Sequence, residues 1–434
     1  MIERLYNAYV QSRKVTTDSR DITPGCIFFA FKGEHFDGNA FAPKALEQGA
    51  AFCVISDSQY KVDDRCIVVP DVLATLQDLA REHRRHLSVP VIGITGTNGK
   101  TTTKELVHAV LAKRYRTSAT KGNFNNHLGV PLTLLSIPEG TELAIVEMGA
   151  NHPGEIDFLC HIADPDCGLI TNVGRAHLEG FGSFEGVVKT KTELYRYLGE
   201  KGSERTKPFV FVNADNPILT AHLSPLTAHL TYGRTADADV RGTLVDCEPY
   251  LHFYFEVGDN VYNVRTHLLG AYNFDNCMAA VAVGLHFGVE PWDIKEAIEE
   301  YVPSNNRSEF KRTGRNTLYL DCYNANPSSM AVAIESFGRL QADRKMAIIG
   351  GMHELGADER KEHELLVAEL EAIHPDQCLL VGAEFDGINL SPSMLRFDDT
   401  DSVRAWLQAN PVTGATILVK GSNTNRLWTL EELL

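Results

Sequence analysis

The stretch that decides the fold is residues 91–101, which read VIGITGTNGKT. It begins with the apolar run 91–94, passes through a glycine-rich turn and leads into a segment whose apolar residues recur at helical spacing. These helical positions are Leu106, Val107, Val110 and Leu111. A strand, a glycine-rich loop and a helix in this order predict a site for the phosphates of a nucleoside triphosphate.

The residues of this loop suit phosphate binding. Glycines such as Gly96 and Gly99 let backbone N–H groups approach phosphate oxygens, and the N-terminus of the following helix adds partial positive charge. Lys100 can reach the β- and γ-phosphates, and the Thr101 hydroxyl can ligate Mg²⁺. The strict pattern has glycine five residues before Gly99, where this chain has Ile94, so the loop is a variant. Its flanking strand and helix favour phosphate binding over an accidental glycine-rich turn.

Outward from the loop, apolar runs at 143–147, 168–171 and 209–213 alternate with helical stretches. This alternation indicates a parallel sheet covered on both faces, and a predicted hairpin at 258–260 follows it. We therefore predict an α/β protein of three domains: a small N-terminal α/β domain (1–88), a central P-loop domain with a parallel sheet and an added β-hairpin region (89–302), and a C-terminal doubly wound, Rossmann-like domain (303–434).

Length, composition and charge agree with this organisation. A chain of 434 residues is long enough for about three domains, and its 44% hydrophobic fraction is typical of a globular protein. The net charge of −16 argues against a nucleic-acid binder. No apolar run reaches the roughly 18–20 residues of a membrane span, and the polar start does not suit a signal peptide. We therefore expect a cytoplasmic protein, not inserted in a membrane, whose nine scattered cysteines are buried and reduced.

Several sequence blocks, in order along nearly the whole chain, resemble the Mur ligase family of peptidoglycan synthesis. Many matched blocks in the right order are more specific than any one of them. The blocks are 17–20 (TDSR), 31–34 (FKGE), 96–102 (GTNGKTT), 123–126 (NFNN), 146–151 (VEMGAN), 172–179 (NVGRAHLE), 321–327 (DCYNANP) and 420–422 (KGS).

The resemblance is strongest to members that add D-alanyl-D-alanine to UDP-MurNAc-tripeptide, and it implies an ATP-dependent ligase with these two small-molecule substrates. In the implied reaction a substrate carboxylate attacks the γ-phosphate of ATP. The dipeptide amine then displaces phosphate from the acyl phosphate. Nothing in the sequence requires more than a monomer.

The resemblance also implies a Mg²⁺ site and a catalytic set. Glu147, at the end of an apolar strand, and His177 match family metal ligands, Thr101 adds a hydroxyl, and Lys100 serves the phosphates. Lys191 matches a lysine that the family carbamylates, which turns a cation into an anion able to bridge metal ions. Taken alone, Glu147 is equally a solvated strand-end acid, His177 a structural histidine and Lys191 a solvated helix lysine.

The family's ATP contacts fall on the phosphate loop and on residues further along the chain. Asn273 and Asn276 resemble asparagines that contact adenine, although an N-cap and a buried polar residue are alternative interpretations. Arg307 and Asp321 match positions near the γ-phosphate and the ribose. The implied ATP-binding residues are Gly96, Thr97, Asn98, Gly99, Lys100, Thr101, Thr102, Asn273, Asn276, Arg307 and Asp321.

The implied substrate contacts are divided between the two ends of the chain. In the N-terminal part they are expected to hold the UDP-sugar, with 123–126 close to its muramyl portion, and Asn324 and Asn326 are expected to bind the dipeptide. An asparagine-rich turn before Pro327 is the alternative interpretation. The full set is Asp18, Ser19, Arg20, Lys32, Gly33, Asn123, Asn125, Asn126, Asn324 and Asn326.

Three positions depart from the family pattern. Gly351 replaces the aspartate of a Gly-Asp-Met block, Asn39 replaces a commoner histidine, and Tyr272 stands where histidine is usual. These departures concern domain contacts, uridine binding and one side of the nucleotide pocket.

Other functions compete with this interpretation. A sibling ligase for a diamino acid lacks its Asp-Asn-Pro-Arg signature here, and a folyl-polyglutamate synthase would not need the UDP elements at 18–33. A regulatory P-loop ATPase is the alternative from another class, whereas a GTPase lacks its guanine-reading element. The stretch from His353 to Glu364 lacks the His-Glu-x-x-His pattern of a metal site, and we interpret it as a solvated helix.

Overall fold

The computed structural model describes residues 1–200, 207–225, 227–303 and 309–434. Within these ranges three β-sheets follow one another along the chain, each packed against helices. They define an N-terminal unit (1–86), a central unit (91–300) and a C-terminal unit (309–434). The predicted α/β class is confirmed. The predicted domain limits at 88 and 302 stay predictions, and the second lies beside residues outside the described ranges.

The N-terminal unit is a four-stranded sheet in the order β1-β2-β3-β4, with all neighbouring strands parallel. One face packs on α2, and the other packs on α1 and α3 through residues such as Phe29 and Leu76. The elements are α1 (Ile2–Ser12), β1 (Val15–Thr16), β2 (Ile27–Phe29), α2 (Ala42–Glu47), β3 (Phe52–Ile55), β4 (Cys66–Val68) and α3 (Val72–His86).

The N-terminal unit and the central unit share one hydrophobic core. Arg84 of α3 is 1% exposed, and its NH2 group pairs with the Asp166 carboxylate at 2.7 Å. The Tyr9 hydroxyl donates to the Leu135 carbonyl at 2.9 Å, and the Gln77 amide donates to the His127 carbonyl at 2.9 Å. Buried apolar and polar contacts therefore fix these two units to each other.

The central unit is built on a nine-stranded sheet in the order β13-β12-β11-β10-β9-β8-β5-β7-β6. Strands β5 to β11 pair in parallel, whereas β11, β12 and β13 pair antiparallel. The elements are β5 (Val91–Thr95), α4 (Lys100–Ala112), β6 (Thr117–Ala119), α5 (Gly129–Leu135), β7 (Leu143–Glu147), α6 (Glu155–Ala163), β8 (Cys167–Ile170), α7 (Leu178–Phe181), α8 (Phe184–Lys191), α9 (Glu193–Glu200), β9 (Phe209–Asn213), α10 (Pro217–Ala221), β10 (Ala228–Gly233), β11 (Val240–Cys247), β12 (Tyr250–Val257), β13 (Asn260–Leu269), α11 (Asn273–His286) and α12 (Pro291–Glu300).

The core strands β5, β7, β8 and β9 are nearly continuous apolar runs because helices cover both faces of the sheet. The predicted hairpin is confirmed, since β12 and β13 pair antiparallel around Gly258, which has φ +58°. The carboxyl ends of β5, β7 and β8 meet at one edge of the sheet, where parallel α/β sheets place their sites.

The C-terminal unit has a six-stranded sheet in the order β14-β15-β19-β16-β17-β18, in which only β14 runs antiparallel to its neighbour. Helices α13 and α14 cover one face and α15 the other, so the predicted double winding is confirmed. The elements are β14 (Glu309–Arg312), β15 (Thr317–Asp321), α13 (Pro327–Arg339), β16 (Lys345–Gly350), α14 (Glu359–Ala372), β17 (Gln377–Val381), β18 (Met394–Phe397), α15 (Thr400–Ala409) and β19 (Thr416–Lys420).

The predicted solvated helix does not begin at His353, although residues 359–364 are helical and mostly exposed. The helix α14 begins at Glu359, after a loop and a 3-10 turn at Gly356–Asp358. Two of its polar residues are buried: Glu362 is 3% exposed and His363 is fully covered. The His363 Nε2 accepts a hydrogen bond from the Met352 N–H at 2.9 Å, so this histidine fastens the loop to the helix.

Two further expectations concern the whole chain. All nine cysteines are free, and all except Cys247 are buried. Among the described helices, none has both the length and the apolar composition to cross a bilayer.

Candidate active site

The phosphate loop joins β5 to α4 through two glycines that no larger residue could replace without displacement. Gly96 has φ +145°, and a Cβ there would lie 2.0 Å from the Thr171 hydroxyl oxygen. Gly99 has φ +76°, and a Cβ there would lie 2.5 Å from the Asn276 amide oxygen. The Lys100 ammonium folds back over the loop and donates to the Gly96 and Thr97 carbonyls, both at 2.8 Å. The predicted loop thus forms at the N-terminus of a helix.

The end of β8 holds this loop in shape. The Asn98 N–H donates to the Asn172 amide oxygen at 3.0 Å, and the Asn98 carbonyl accepts from the Thr171 hydroxyl at 2.6 Å. The Thr97 N–H donates to the Asn172 carbonyl at 3.0 Å. Sequence reasoning did not select Thr171 and Asn172 individually, although Asn172 opens one of the matched blocks.

Glu147, at the end of β7, lies beside the loop and is 1% exposed. Its Oε1 accepts from the Thr101 hydroxyl at 3.2 Å and from the Asn125 amide at 2.8 Å. Its buried Oε2 has no hydrogen-bond partner among the described residues. A buried carboxylate oxygen without a donor, next to a hydroxyl, fits a hard cation such as Mg²⁺. The structure therefore brings together Thr101, Glu147 and Asn125, the last of which we had expected to contact the sugar.

Lys191, the last residue of α8, is 2% exposed rather than solvated. Its Nζ donates to the Ala150 carbonyl at 3.1 Å and lies 5.2 Å from the centre of the Phe181 ring. Burial, with a smaller contribution from the charge of Lys100, holds the pKa of Lys191 well below its usual value. A neutral amine is the form that reacts with CO₂, so this setting fits a carbamylated lysine.

His177 directly precedes α7 and has a left-handed backbone, with φ 51°. Its Nδ1 contacts the carboxylate of Glu354, a residue of the C-terminal unit. Burial lowers the pKa of His177, Glu354 opposes that effect, and the charges of Lys100 and Lys191 reinforce it. These three basic side chains are thus close enough to act on one another electrostatically.

The described residues contain no group of three or more His, Cys, Asp or Glu side chains placed to hold a metal ion. The predicted ligand set contains only two residues of those types, Glu147 and His177. The other predicted ligands are the Thr101 hydroxyl and a modified Lys191.

A cavity of about 330 Å³ lies next to the loop, between the central and C-terminal units. Asn273 and Asn276 line it, and they are 1% and 6% exposed. The Asn276 amide donates to the Asn273 amide oxygen at 2.8 Å, and the Asn276 oxygen accepts from the Thr103 hydroxyl at 3.0 Å. Neither asparagine caps α11, which begins after Tyr272 without a side-chain cap. The predicted adenine residues therefore form the wall of a cavity beside the loop, which Thr102 also lines.

The C-terminal unit supplies the opposite wall. The Lys420 ammonium, 1% exposed, donates to the Asp321 carboxylate at 2.5 Å and to the Asn324 carbonyl at 3.2 Å. Lys420 was not selected individually from the sequence, although it opens the matched Lys-Gly-Ser block. Arg307 lies outside the described residues.

Asn326 has two roles in the structure. Its side chain caps α13, as the alternative interpretation of an asparagine-rich turn proposed. Its amide also donates to the Asn98 amide oxygen at 2.8 Å, across the boundary between the two units. The structure therefore places Asn326 against the phosphate loop.

The predicted UDP-sugar residues lie in the N-terminal unit. The Arg20 guanidinium pairs with the Asp18 carboxylate at 2.6 Å, which lowers the pKa of Asp18 from 3.8 to about 2, and Ser19 is in the same turn. The Lys32 ammonium lies 3.6 Å from the Asp37 carboxylate. A Cβ at Gly33 would lie 2.5 Å from the ring of Phe36, which is 60% exposed. In the central unit, Asn123 and Asn126 adjoin Asn125, and Asn126 accepts from the Gly129 N–H at 2.8 Å.

The three departures from the family pattern have local explanations. A Cβ at Gly351 would lie 2.5 Å from a Glu384 carboxylate oxygen, so another acid occupies the space beside this glycine. Asn39 is fully buried and joins the turn before α2 to the end of β3, because its amide oxygen accepts from the Ser56 N–H at 2.8 Å. Tyr272 lines the cavity next to the phosphate loop.

The fold and the site together define a P-loop protein of the nucleoside-triphosphate-binding class, with a cavity between a central parallel-sheet unit and a C-terminal doubly wound unit. Three family models match in order: "Mur ligase family, catalytic domain" at 12–84, "Mur ligase middle domain" at 94–284 and "Mur ligase, glutamate ligase domain" at 306–423. The UDP-N-acetylmuramoyl-tripeptide–D-alanyl-D-alanine ligase of Bacillus subtilis is 35% identical over 427 residues, which cover 95% of this chain and 91% of that relative. The chain therefore belongs to the Mur ligase family.

Solved structures agree with this assignment. MurF from Acinetobacter baumannii superimposes with a TM-score of 0.85 at 29% identity, over 96% of this chain and 92% of that one. MurF ligase from Thermotoga maritima, solved in complex with ADP, has a TM-score of 0.84 at 29% identity, over 97% of both chains.

Proposed function

We propose that this chain is an ATP-dependent ligase that joins D-alanyl-D-alanine to UDP-N-acetylmuramoyl-tripeptide during peptidoglycan precursor synthesis in the cytoplasm. The observation that carries the proposal is the glycine-rich loop with Lys100, which lies against Thr101 and a buried Glu147 that has an unpaired oxygen. The similarity to relatives with this printed name, over more than nine-tenths of both chains, supports the choice of substrates.

The proposed ligation has two steps. The terminal carboxylate of the tripeptide attacks the γ-phosphorus of ATP, so that an acyl phosphate forms and ADP leaves. The dipeptide amine then attacks the acyl carbon, the amide bond forms, phosphate leaves and the amine loses a proton. Such a reaction needs alignment and charge neutralisation more than covalent help from the protein.

The residues of the loop supply that alignment. Lys100 neutralises the β- and γ-phosphates once its ammonium exchanges the Gly96 and Thr97 carbonyls for phosphate oxygens. The backbone N–H groups of 96–102 and the α4 N-terminus add partial positive charge. Asn273 and Asn276 offer amide groups to the adenine edge, and Asp321 accepts from the ribose. Arg307 is proposed to act near the γ-phosphate.

Mg²⁺ would be held by Thr101, Glu147, His177 and carbamylated Lys191. When bound, the ion neutralises phosphate charge as the acyl phosphate forms. The Asn125 amide and the Thr101 hydroxyl both donate hydrogen bonds to Oε1 of Glu147, so that Oε2 is left available to a cation. Burial lowers the pKa of Lys191, which favours the neutral amine that reacts with CO₂.

The UDP-sugar and the dipeptide are proposed to bind to different units of the chain. The turn with Asp18, Ser19 and Arg20 and the turn with Lys32 and Gly33 hold the UDP-sugar, and 123–126 contacts its muramyl portion. Asn324 binds the dipeptide with Asn326, which also touches the loop through Asn98. A monomer provides every residue named here.

The test is phosphate release by the full chain with ATP and Mg²⁺, with each substrate omitted in turn and the product mass recorded. We expect release only when both substrates are present, with a mass gain of one D-alanyl-D-alanine residue pair. Turnover that proceeds without the dipeptide, or that needs a single amino acid or a folate, would overturn the proposal in favour of a sibling ligase, a folyl-polyglutamate synthase or a regulatory ATPase.

A further inference from the structure

A loop of the C-terminal unit, residues 352–356, lies against the segment of the central unit that begins at His177. The carboxylate of Glu354 contacts the His177 Nδ1. The backbone carbonyl of the same residue accepts a hydrogen bond from the Glu179 N–H at 3.2 Å. Both the side chain and the backbone of Glu354 therefore bind the segment that carries the histidine.

The backbones of Glu354 and His177 both have positive φ angles at this contact. Glu354 has φ 60° and His177 has φ 51°, a left-handed conformation that residues with a Cβ seldom adopt. Two residues further on, Gly356 has φ +56°, and a Cβ there would lie 3.4 Å from the Glu179 Cβ. Unfavourable backbone conformations on both partners are retained where the surrounding structure demands them, and they often mark functional sites.

The chemistry of the contact determines which ring nitrogen is available. A carboxylate accepts a proton donated by Nδ1, and this fixes the neutral imidazole in the tautomer whose Nε2 carries a free electron pair. Histidines that bind a metal ion commonly have such a carboxylate on the second nitrogen, which sets the ring orientation and the tautomer. The contact with Glu354 thus leaves Nε2 as the ligating atom.

We propose that Glu354 is a positioning residue that orients His177 for the catalytic cation. Because Glu354 belongs to the C-terminal unit, the histidine is oriented only when that unit is docked on the central unit. Binding of the cation is thereby coupled to closure of the cleft around ATP. This inference rests on the proposed function, in which His177 is a cation ligand.

Docking of the two units does not depend on Glu354 alone. Arg175 forms an ion pair with Glu362, and the Arg175 N–H donates to the Ser328 hydroxyl at 2.7 Å. The Asn98–Asn326 amide pair adds a further contact between the units. A change at Glu354 can therefore disturb the histidine while the interface around it persists.

The experiment uses the full chain with ADP and Mn²⁺ as a paramagnetic substitute for Mg²⁺. The variants are Glu354→Ala, Glu354→Gln, His177→Ala and the control Glu364→Ala, whose side chain is 53% exposed compared with 52% for Glu354 and pairs only with Arg360 of its own helix among the described residues. Electron paramagnetic resonance gives the Mn²⁺ dissociation constant. Nitrogen NMR of ¹⁵N-histidine-labelled protein gives the tautomer of His177, assigned by the signal that His177→Ala removes.

We expect Glu354→Ala to weaken Mn²⁺ binding about 10- to 100-fold, the usual effect of removing a carboxylate behind a ligating histidine. The preference of His177 for the Nδ1-protonated tautomer should be lost in the same variant. Glu354→Gln, whose amide oxygen still accepts from Nδ1, should restore the tautomer and most of the affinity, and Glu364→Ala should match the unmodified protein.

Three outcomes would overturn the inference. Unchanged Mn²⁺ affinity in Glu354→Ala, when His177→Ala binds weakly, would show that the carboxylate does not orient the ligand. Equal losses in Glu354→Ala and Glu354→Gln would make the negative charge itself the requirement, as for a direct ligand. Unchanged affinity in His177→Ala would instead refute the proposed metal role of His177, a failure that the ligase assay with both substrates does not share.

Discussion

Two glycines with nearly the same backbone dihedral angles precede helices of the central unit. Of these two, only Gly99 lines the cavity next to the phosphate loop. Gly99, before α4, has φ 76° and ψ −3°, and Gly154, before α6, has φ 84° and ψ −9°. A Cβ at Gly99 would lie 2.5 Å from the Asn276 amide oxygen, whereas a Cβ at Gly154 would meet no atom within 4 Å. Alanine at Gly154 therefore measures the backbone cost alone, and alanine at Gly99 adds the cost of the contact.

The magnitudes follow from these two geometries. A left-handed conformation costs a residue with a Cβ about 1–2 kcal/mol, so both variants should lose about that much free energy of unfolding. Gly99→Ala must also displace Asn276, which accepts from Thr103 at 3.0 Å and donates to Asn273 at 2.8 Å. One or two such hydrogen bonds are worth about 1–2 kcal/mol in total, and 1.4 kcal/mol corresponds to roughly tenfold in affinity.

The assay is calorimetric titration with ADP, together with urea unfolding of each variant. We expect Gly99→Ala to weaken ADP binding by about tenfold and Gly154→Ala to leave it within about twofold. The double variant Gly99→Ala/Asn276→Ala should bind ADP no more weakly than Asn276→Ala, because the obstructed side chain is gone. Equal ADP affinities in the two glycine variants would refute the argument that Asn276 transmits the change at the loop.

Three further predictions concern buried charged or titratable groups. Burial lowers the pKa of His83 from 6.5 to about 4, so the unfolded chain takes up a proton below pH 6.5 while the folded chain does not. Stability should fall by about 2 kcal/mol between pH 7 and pH 5 in urea unfolding, and His83→Leu should remove that dependence whereas His86→Leu, at an exposed position, should keep it. Lys191→Ala should lower the ligase rate about 100-fold, with partial recovery on adding a short carboxylic acid to replace the carbamate; no recovery at any concentration would contradict the carbamate role. Arg84→Met should cost about 3–5 kcal/mol in unfolding free energy by removing the guanidinium that pairs with the buried Asp166 carboxylate, and adding Asp166→Asn should recover part of it; a loss below about 1 kcal/mol would show that the pair is not essential to the shared core.

The sequence allowed prediction of most inner strands, whereas several edge strands were not predicted. Strands β5, β7 and β8 are buried throughout and stand out as apolar runs. The strands β6, β14 and β18 were not predicted, and each is an edge strand with mostly half-buried residues. An edge strand has one neighbour and little apolar surface to bury, so its sequence carries a weak pattern.

The same limit applies to the site. The phosphate loop is contiguous, so its chemistry could be predicted from 91–101 alone. The contacts between Asn98 and Asn326 and between His177 and Glu354 join residues separated by 228 and 177 positions. No local pattern encodes such a pairing, and Glu354 was assigned to a solvated helix because its stretch lacks the His-Glu-x-x-His pattern. The roles of Glu147 and Lys191 were predicted from the resemblance to a family. Their burial became visible only in the folded structure.

The shared core of the N-terminal and central units constrains how this enzyme can be engineered. An N-terminal unit taken from a distant relative would carry its own version of α3, and it would have to pack on α5 and α6 as Leu76 of α3 now packs in one core with Leu134 of α5. It would also need a guanidinium at the position of Arg84 to neutralise Asp166. Chimeras should therefore exchange residues 1–300 as one block, whereas the C-terminal unit, whose hydrophobic clusters are separate from this core, offers the simpler place for a graft.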